Sequence, residues 1–213
     1  MKEVYLKFTN SLTPDTENVL ETLEQYAQKT KEGKWRLKAD IKQRESEHDA
    51  MVQKIAFLGK KAGFKVHADL PEWRTQIELN IPPENLERIK QIDVIWYDKN
   101  EITHEFEVEN STGITEAVVR GSNIQNQRTK RYIVIPEERQ EFFYKKITEP
   151  MLQEKINEFG WLFIFYNTLN AFYDENEKAT AINITSFEKL AGVPKAKVVE
   201  QKGIQDFLVT NKA

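Results

Sequence analysis

The apolar positions change rhythm along the chain, and the changes predict its elements. Lys2–Phe8 alternates enough for a short strand, and Pro14 to about Lys29 reads as an amphipathic helix. Asp15 or Thr16 can cap that helix, and Val19, Leu20, Leu23 and Tyr26 form its stripe. Glu32–Lys34 is a turn before a short extended piece, Trp35–Leu37. From Arg44 to Ala62 the spacing of Met51, Ile55, Leu58 and Ala62 predicts a helix with one buried face, stopped by Gly63. Phe64–Ala68 and Gln76–Ile81 are strand-like, with Leu70–Arg74 a loop or edge segment. Ile92–Tyr97 and Ile102–Glu109 are the clearest strands, and Asp98-Lys99-Asn100-Glu101 between them predicts a hairpin. A helix capped by Ser111 or Thr112 follows, running to about Ile124. Then come a buried strand at Tyr132–Ile135, a helix from Pro136 to about Ile147, a helix at Met151–Glu158 and a strand at Trp161–Tyr166. The tail offers one small helix, Ser186–Ala191. This order predicts an α/β fold, a mixed sheet flanked by helices. Residues 1–40 read as an arm or linker, 41–170 as the core and 171–213 as an extension.

Composition narrows the function classes. A hydrophobic content of 39% suffices for a packed core, and no stretch has the length of a membrane span. The start, MKEVYLKFTN, lacks the apolar region of a secretory signal. With no cysteine there are no disulfides or thiolate metal sites, which fits a reducing, cytoplasmic setting. The net charge of −3 does not advertise a nucleic-acid binder, but its distribution is uneven. Ala117–Pro136 contains no acidic residue and holds Arg120, Arg128, Lys130 and Arg131. Those four are the candidate nucleic-acid contacts, against a plain solvated basic surface.

The strand EITHEFEVEN carries the sharpest chemistry. Period two puts Glu105, Glu107 and Glu109 on one face, and Phe106 and Val108 on the other. Three acids on a buried face would need a counter-ion, whereas an exposed sheet face shows such alternation freely. Glu105 is expected on the solvent side. Glu107 and Glu109 are read differently because the hairpin sets Asp93 opposite Phe106 or Glu107, in a strand otherwise apolar. Carboxylates facing one another across a strand pair suit a hard cation with oxygen ligands. With the three histidines (His48, His67, His104) scattered, magnesium fits better than zinc. The pattern alone leaves a second reading open, in which Asp93 caps a strand end and meets solvent.

These residues carry a family resemblance. IDVIW, then FEVENSTGI, a helix and RYIVIPEER, preceded by the long helix ESEHDAMVQKIAFLGKKAGFKV, resemble the PD-(D/E)XK, or restriction-endonuclease-like, phosphodiesterases over roughly Arg44 to Tyr166. Two departures stand out: Ile92 precedes Asp93 where the motif has proline, and Glu109 stands where most members have lysine. The resemblance implies a Mg²⁺-dependent endonuclease, with Mn²⁺ as a substitute, hydrolysing DNA phosphodiesters in restriction or another defence system; RNA stays open as a substrate. It implies Asp93 and Glu107 as metal ligands. Glu109 becomes a further ligand or proton acceptor, and Glu47, on the preceding helix, a fourth acid, with Glu45 as its rival. Arg120 is expected to reach a backbone phosphate. A homodimer, or a place in a larger defence protein or complex, is expected, because cutting both strands needs two active sites. The alternative is a catalytically inactive module that keeps the fold for nucleic-acid or protein contacts, a reading favoured by the missing lysine.

Overall fold

The structure is a computed structural model and describes residues 24–30, 34–74, 79, 83–110 and 113–193. The expected strand at Lys2–Phe8, most of Gln76–Ile81 and the caps Ser111 and Thr112 lie outside the described residues. The chain divides into two units, Met1–Asp49 and Ala50–Ala213.

In the first unit, β1 (Ala27–Lys29) pairs antiparallel with β2 (Trp35–Leu37), Gln28 facing Arg36. Helix had been expected through Lys29. Instead pairing with β2 claims Ala27–Lys29 and satisfies its backbone groups. The helix α1 (Ala39–Lys61) starts five residues ahead of the expected Arg44. Its buried residues, Met51, Val52, Ile55, Ala56, Leu58 and Gly59, recur at helical spacing and all fall in the second unit. Gly63 ends it with φ +90°.

The second unit is built on five strands in the order β3-β4-β5-β6-β7, and both kinds of connection in it follow from chain length. β3 (Lys65–Ala68) and β5 (Glu101–Val108) each pair antiparallel with β4 (Val94–Asp98) between them. β4 and β5 join through Lys99 and Asn100, whose positive φ values (47° and 67°) give the twist a two-residue hairpin needs. β6 (Lys130–Ile135) and β7 (Trp161–Phe165) run parallel to β5, so helices must carry the chain back each time. α3 (Ile114–Gly121) makes the first return, while α4 (Gln140–Ile147) and α5 (Pro150–Phe159) make the second. α2 (Pro83–Ile89), which lacks a readable stripe, precedes β4. The strand expected to end at Tyr166 ends at Phe165, where α6 (Tyr166–Asn176) begins, and α7 (Ile184–Glu188) stands near the expected Ser186–Ala191.

The sheet is covered on both faces. One face packs Val94, Trp96, Phe106, Tyr132 and Ile164 against α1, Leu169 of α6 and Phe187 of α7. The other carries two separate apolar clusters. Ile133 and Phe163 meet Val118, Phe143 and Ile156, while Ile95, Tyr97 and Ile102 meet Ile89 and Ile124. β5 crosses between those clusters, and there its side chains are Glu105 and Glu107. No described helix is long and apolar enough to cross a membrane.

Candidate functional site

Strand periodicity alone sends Glu105 and Glu107 to the α3 side of the sheet, and α3 covers both completely. This corrects the expectation that Glu105 faces solvent: it has 0% exposure. An isolated ion cannot stay there, so each carboxylate has an arginine. Glu105 lies directly across the parallel ladder from Arg131, itself 0% exposed, with Arg131 Nε 3.3 Å from Glu105 Oε1. That pair is not satisfied as a hydrogen bond: neither Glu105 oxygen nor Arg131 Nε has a partner. The other guanidinium nitrogens of Arg131 donate to the carbonyls of Thr129, Phe159, Ile124 and Asn126. Arg131 is therefore a buried clamp on the β6 entry and not a phosphate contact, a correction to the basic run. Burial pushes Glu105 up to about 8, against the pull of Arg131 and Arg120.

Glu107 meets Arg120 in a two-pronged fork. Arg120 Nε donates to Oε1 at 2.9 Å and Nη2 to Oε2 at 2.5 Å. Burial drives Glu107 well above the usual carboxylate range, with Asp93 and Glu105 adding to it and Arg120 opposing. The same fork holds Arg120 firmly charged, and Glu107, Asp93 and Glu109 all contribute to that. The three acids singled out in the sequence thus act on one cation, the guanidinium of Arg120.

Asp93 stands just before β4. Its Oδ2 accepts from the Val108 amide at 2.7 Å and its carbonyl accepts from the Asp69 amide at 3.0 Å, so it does cap the end of the strand pair. Glu109 continues the ladder past β5 through its amide to the Val134 carbonyl. Its carboxylate lies over the start of α3: a Cβ on Gly113, the N-cap, would meet Glu109 Oε1 at 2.9 Å. Asn110 is held by Arg139, whose Nη1 donates to its carbonyl at 3.0 Å. Arg139 was not singled out in the sequence, since nothing local connects it with a loop so far upstream.

The remaining candidates are dispersed. Glu47 belongs to the first unit, half-buried, accepting from Gln43 Nε2 at 2.8 Å; Glu45 is exposed. Arg128 is exposed, and Lys130 pairs with Glu188 at 2.5 Å. Lys130 faces His104 at one end of the β5–β6 ladder, three pairs back from Glu107 and Ile133. The acids and the accessible basic residues thus occupy different stretches of the sheet.

Among the described residues, no group of three or more His, Asp or Glu side chains is arranged to hold a metal ion. At Glu107 the Arg120 guanidinium takes both carboxylate oxygens.

A family model, that of the type II restriction enzyme NmeDI C-terminal domain, matches residues 69–192. No curated protein and no solved structure is matched by the chain. The matched span takes in Asp93, the whole Glu105–Glu109 strand segment, α3 with Arg120, the Arg131 clamp and the final bridge of Gly192 to β7. Over more than half its length, then, this chain belongs to the family of the type II restriction enzyme NmeDI C-terminal domain.

Proposed function

We propose that the domain is a metal-dependent endonuclease that hydrolyses DNA phosphodiester bonds, in restriction or a related defence system, with the site of the PD-(D/E)XK nucleases in a variant carrying Glu109 for lysine. What supports the reading is the buried Glu107 carboxylate, two residues before Glu109 on one strand and level with Asp93 across the hairpin, inside the span that the restriction-enzyme family model matches. Those three residues would hold Mg²⁺, or Mn²⁺ in its place. Such an ion supplies a Lewis acid for the phosphate and makes a bound water more acidic. The chain's own contribution is placement. Asp93 is fixed by the Val108 amide, and Glu109 lies at the N-terminus of α3, where a negative charge is favoured. Arg120, once off Glu107, is the group near enough to neutralise a substrate phosphate. Arg128 and Lys130 would contribute to DNA binding farther along the sheet. Glu47 is proposed as the fourth acid. The enzyme would act as a homodimer or within a larger defence protein, as cutting both strands needs two active sites.

The purified chain is expected to cut plasmid or linear duplex DNA in Mg²⁺ or Mn²⁺, with single-stranded DNA and RNA as comparison substrates. Glu107→Gln and Asp93→Asn should abolish that, and Glu47→Ala should weaken it. Glu109→Gln should lower both the rate and the metal affinity in a Mn²⁺ titration; wild-type values for both would remove Glu109 from the site. The occupied state of Glu107 favours a second reading, a non-catalytic module in which Arg120 has replaced the metal permanently. Salt-dependent DNA binding without cleavage in either metal would select it.

A further inference from the structure

Arg139 is a guanidinium without an acid. It closes the turn Glu137–Arg139 that follows β6, and it is partly withdrawn from water. The turn itself is fixed. The Arg139 amide donates to the Pro136 carbonyl at 3.1 Å, and Glu137 Oε1 accepts from the Asn167 amide at 2.8 Å. The side chain is fixed as well: Nη1 donates to the Asn110 carbonyl at 3.0 Å, and the guanidinium carbon lies 4.9 Å from the centre of the Phe142 ring. Both partners are neutral. Among the described residues no carboxylate pairs with Arg139, and its Nε and Nη2 have no acceptor. The arginines around it differ. Arg74 is held by Asp69 and Arg120 by Glu107, while Arg131 is buried and spent on carbonyls. A charge drawn partly out of water and held only by neutral groups favours an anion as its next partner.

We infer that Arg139 is a phosphate seat for a DNA strand, fixed in place before the strand arrives. Its Nε and Nη2 form the same edge that Arg120 offers Glu107, and two parallel donors match two oxygens of a phosphodiester. Asn110, whose carbonyl it holds, is three residues beyond Glu107, roughly 10 Å along the strand direction. One strand of DNA carries a phosphate for about every 3.4 Å of axis, so a strand crossing the acids brings another phosphate to Arg139. The acids also select a polymer over a free anion. Asp93, Glu107 and Glu109 repel a small phosphate ion arriving alone, whereas a DNA strand is held by contacts elsewhere along its length. This inference rests on the reading of the domain as one that acts on DNA, and it needs no metal ion.

The test is binding of a fluorescently labelled DNA duplex to the full chain in EDTA, followed by anisotropy over a range of salt. Arg139→Gln keeps an amide donor for the Asn110 carbonyl and loses the charge. It should bind roughly three- to tenfold more weakly and lower the slope of log affinity against log salt by about one, with the urea midpoint unchanged. Arg139→Lys, which keeps the charge, should keep the wild-type slope. Wild-type affinity and slope in Arg139→Gln overturn the seat, leave Arg139 a clasp on Asn110 and leave the DNA reading standing. A slope lowered as much in Arg139→Lys as in Arg139→Gln also overturns it, because the charge would then not be what counts. Inorganic phosphate, added at constant ionic strength, should leave the urea midpoint of wild type where it leaves that of Arg139→Gln. A rise in wild type alone would assign the seat to a free anion and overturn its assignment to DNA. No binding of the duplex by wild type at any salt overturns both the seat and the DNA reading.

Discussion

Two carboxylates without exposed surface lie side by side on β5, and they are stabilised by different means. Glu107 has a fork from Arg120, so removing one partner strands the other. Glu107→Ala should lower stability by about 1–3 kcal/mol as well as abolishing cleavage. Glu107→Gln should lose cleavage with a smaller change in the urea midpoint. Equal loss of stability in both variants would mean that the fork contributes little. Glu105 lacks such bonds, and burial lifts it from 4.5 to about 8. Its folded form therefore holds a proton that the unfolded chain releases near 4.5. The associated stability is complete below about 4.5 and is lost as pH rises to about 8. Comparing urea midpoints of wild type and Glu105→Gln at pH 5, 6.5 and 8 isolates this group. Wild type should decline relative to the variant as pH rises, and parallel profiles would show that Glu105 does not titrate in that range. Period-two alternation grouped Glu105 with Glu107 correctly but could not say that α3 covers that face. Arg131 was misread for the same reason, since its partner Glu105 is on another strand, outside any local window.

At the scale of elements, local signals were faithful where the chemistry is local. The Lys99-Asn100 turn, the two strands it joins and the stop at Gly63 could all be read from a few neighbouring residues. The hairpin register has one irregularity, between Trp96 and Tyr97, where Thr103 Oγ1 donates to the Trp96 carbonyl. Beyond that irregularity Val94 faces Phe106, which brings Asp93 to the level of Glu107, one of the two positions expected for it. Arg120 could be picked out as a helix residue downstream of the acids, but its fork with Glu107 depends on how α3 docks. That docking turns on Gly121. A side chain there would meet the Glu105 carboxylate and the Trp161 ring, so α3 approaches β5 as closely as a backbone allows. Intrinsic helix propensity favours alanine over glycine by about 1 kcal/mol. Packing should override it: Gly121→Ala is expected to lower stability by about 1–3 kcal/mol, read from the urea midpoint. A midpoint at or above wild type would show that α3 can shift outward without loss.

For the whole molecule, part of one sheet face is covered by residues between Tyr166 and Gly192, a role which their sequence scarcely announces. Residues beyond 170 carry isolated aromatics without a sustained stripe, and they looked like an extension. In the structure α6 continues directly from β7, Leu169 is buried, and Phe172 and Tyr173 pack against the same core as α1. α7 then places Phe187 between Trp96 and Phe172, with ring centroids at 4.9 and 5.8 Å, and against Phe106 and Tyr132. Glu188 bridges His104 of β5, at 3.2 Å, and Lys130 of β6. Gly192 closes the segment by exchanging two backbone bonds with Phe163, where the family match also ends. This short helix thus completes, with α1 and α6, the cover of the face opposite the acid cluster and links β5 to β6. Phe187→Ala should cost about 3–5 kcal/mol, as emptying a fully buried aromatic site does. A chain shortened after Asn170 removes that ring and Phe172, Tyr173 and Glu188 together, and it should fail to give a cooperative urea transition. If the shortened chain unfolds cooperatively near the midpoint of the full chain, α7 is an ornament and the sheet is stable with that face open.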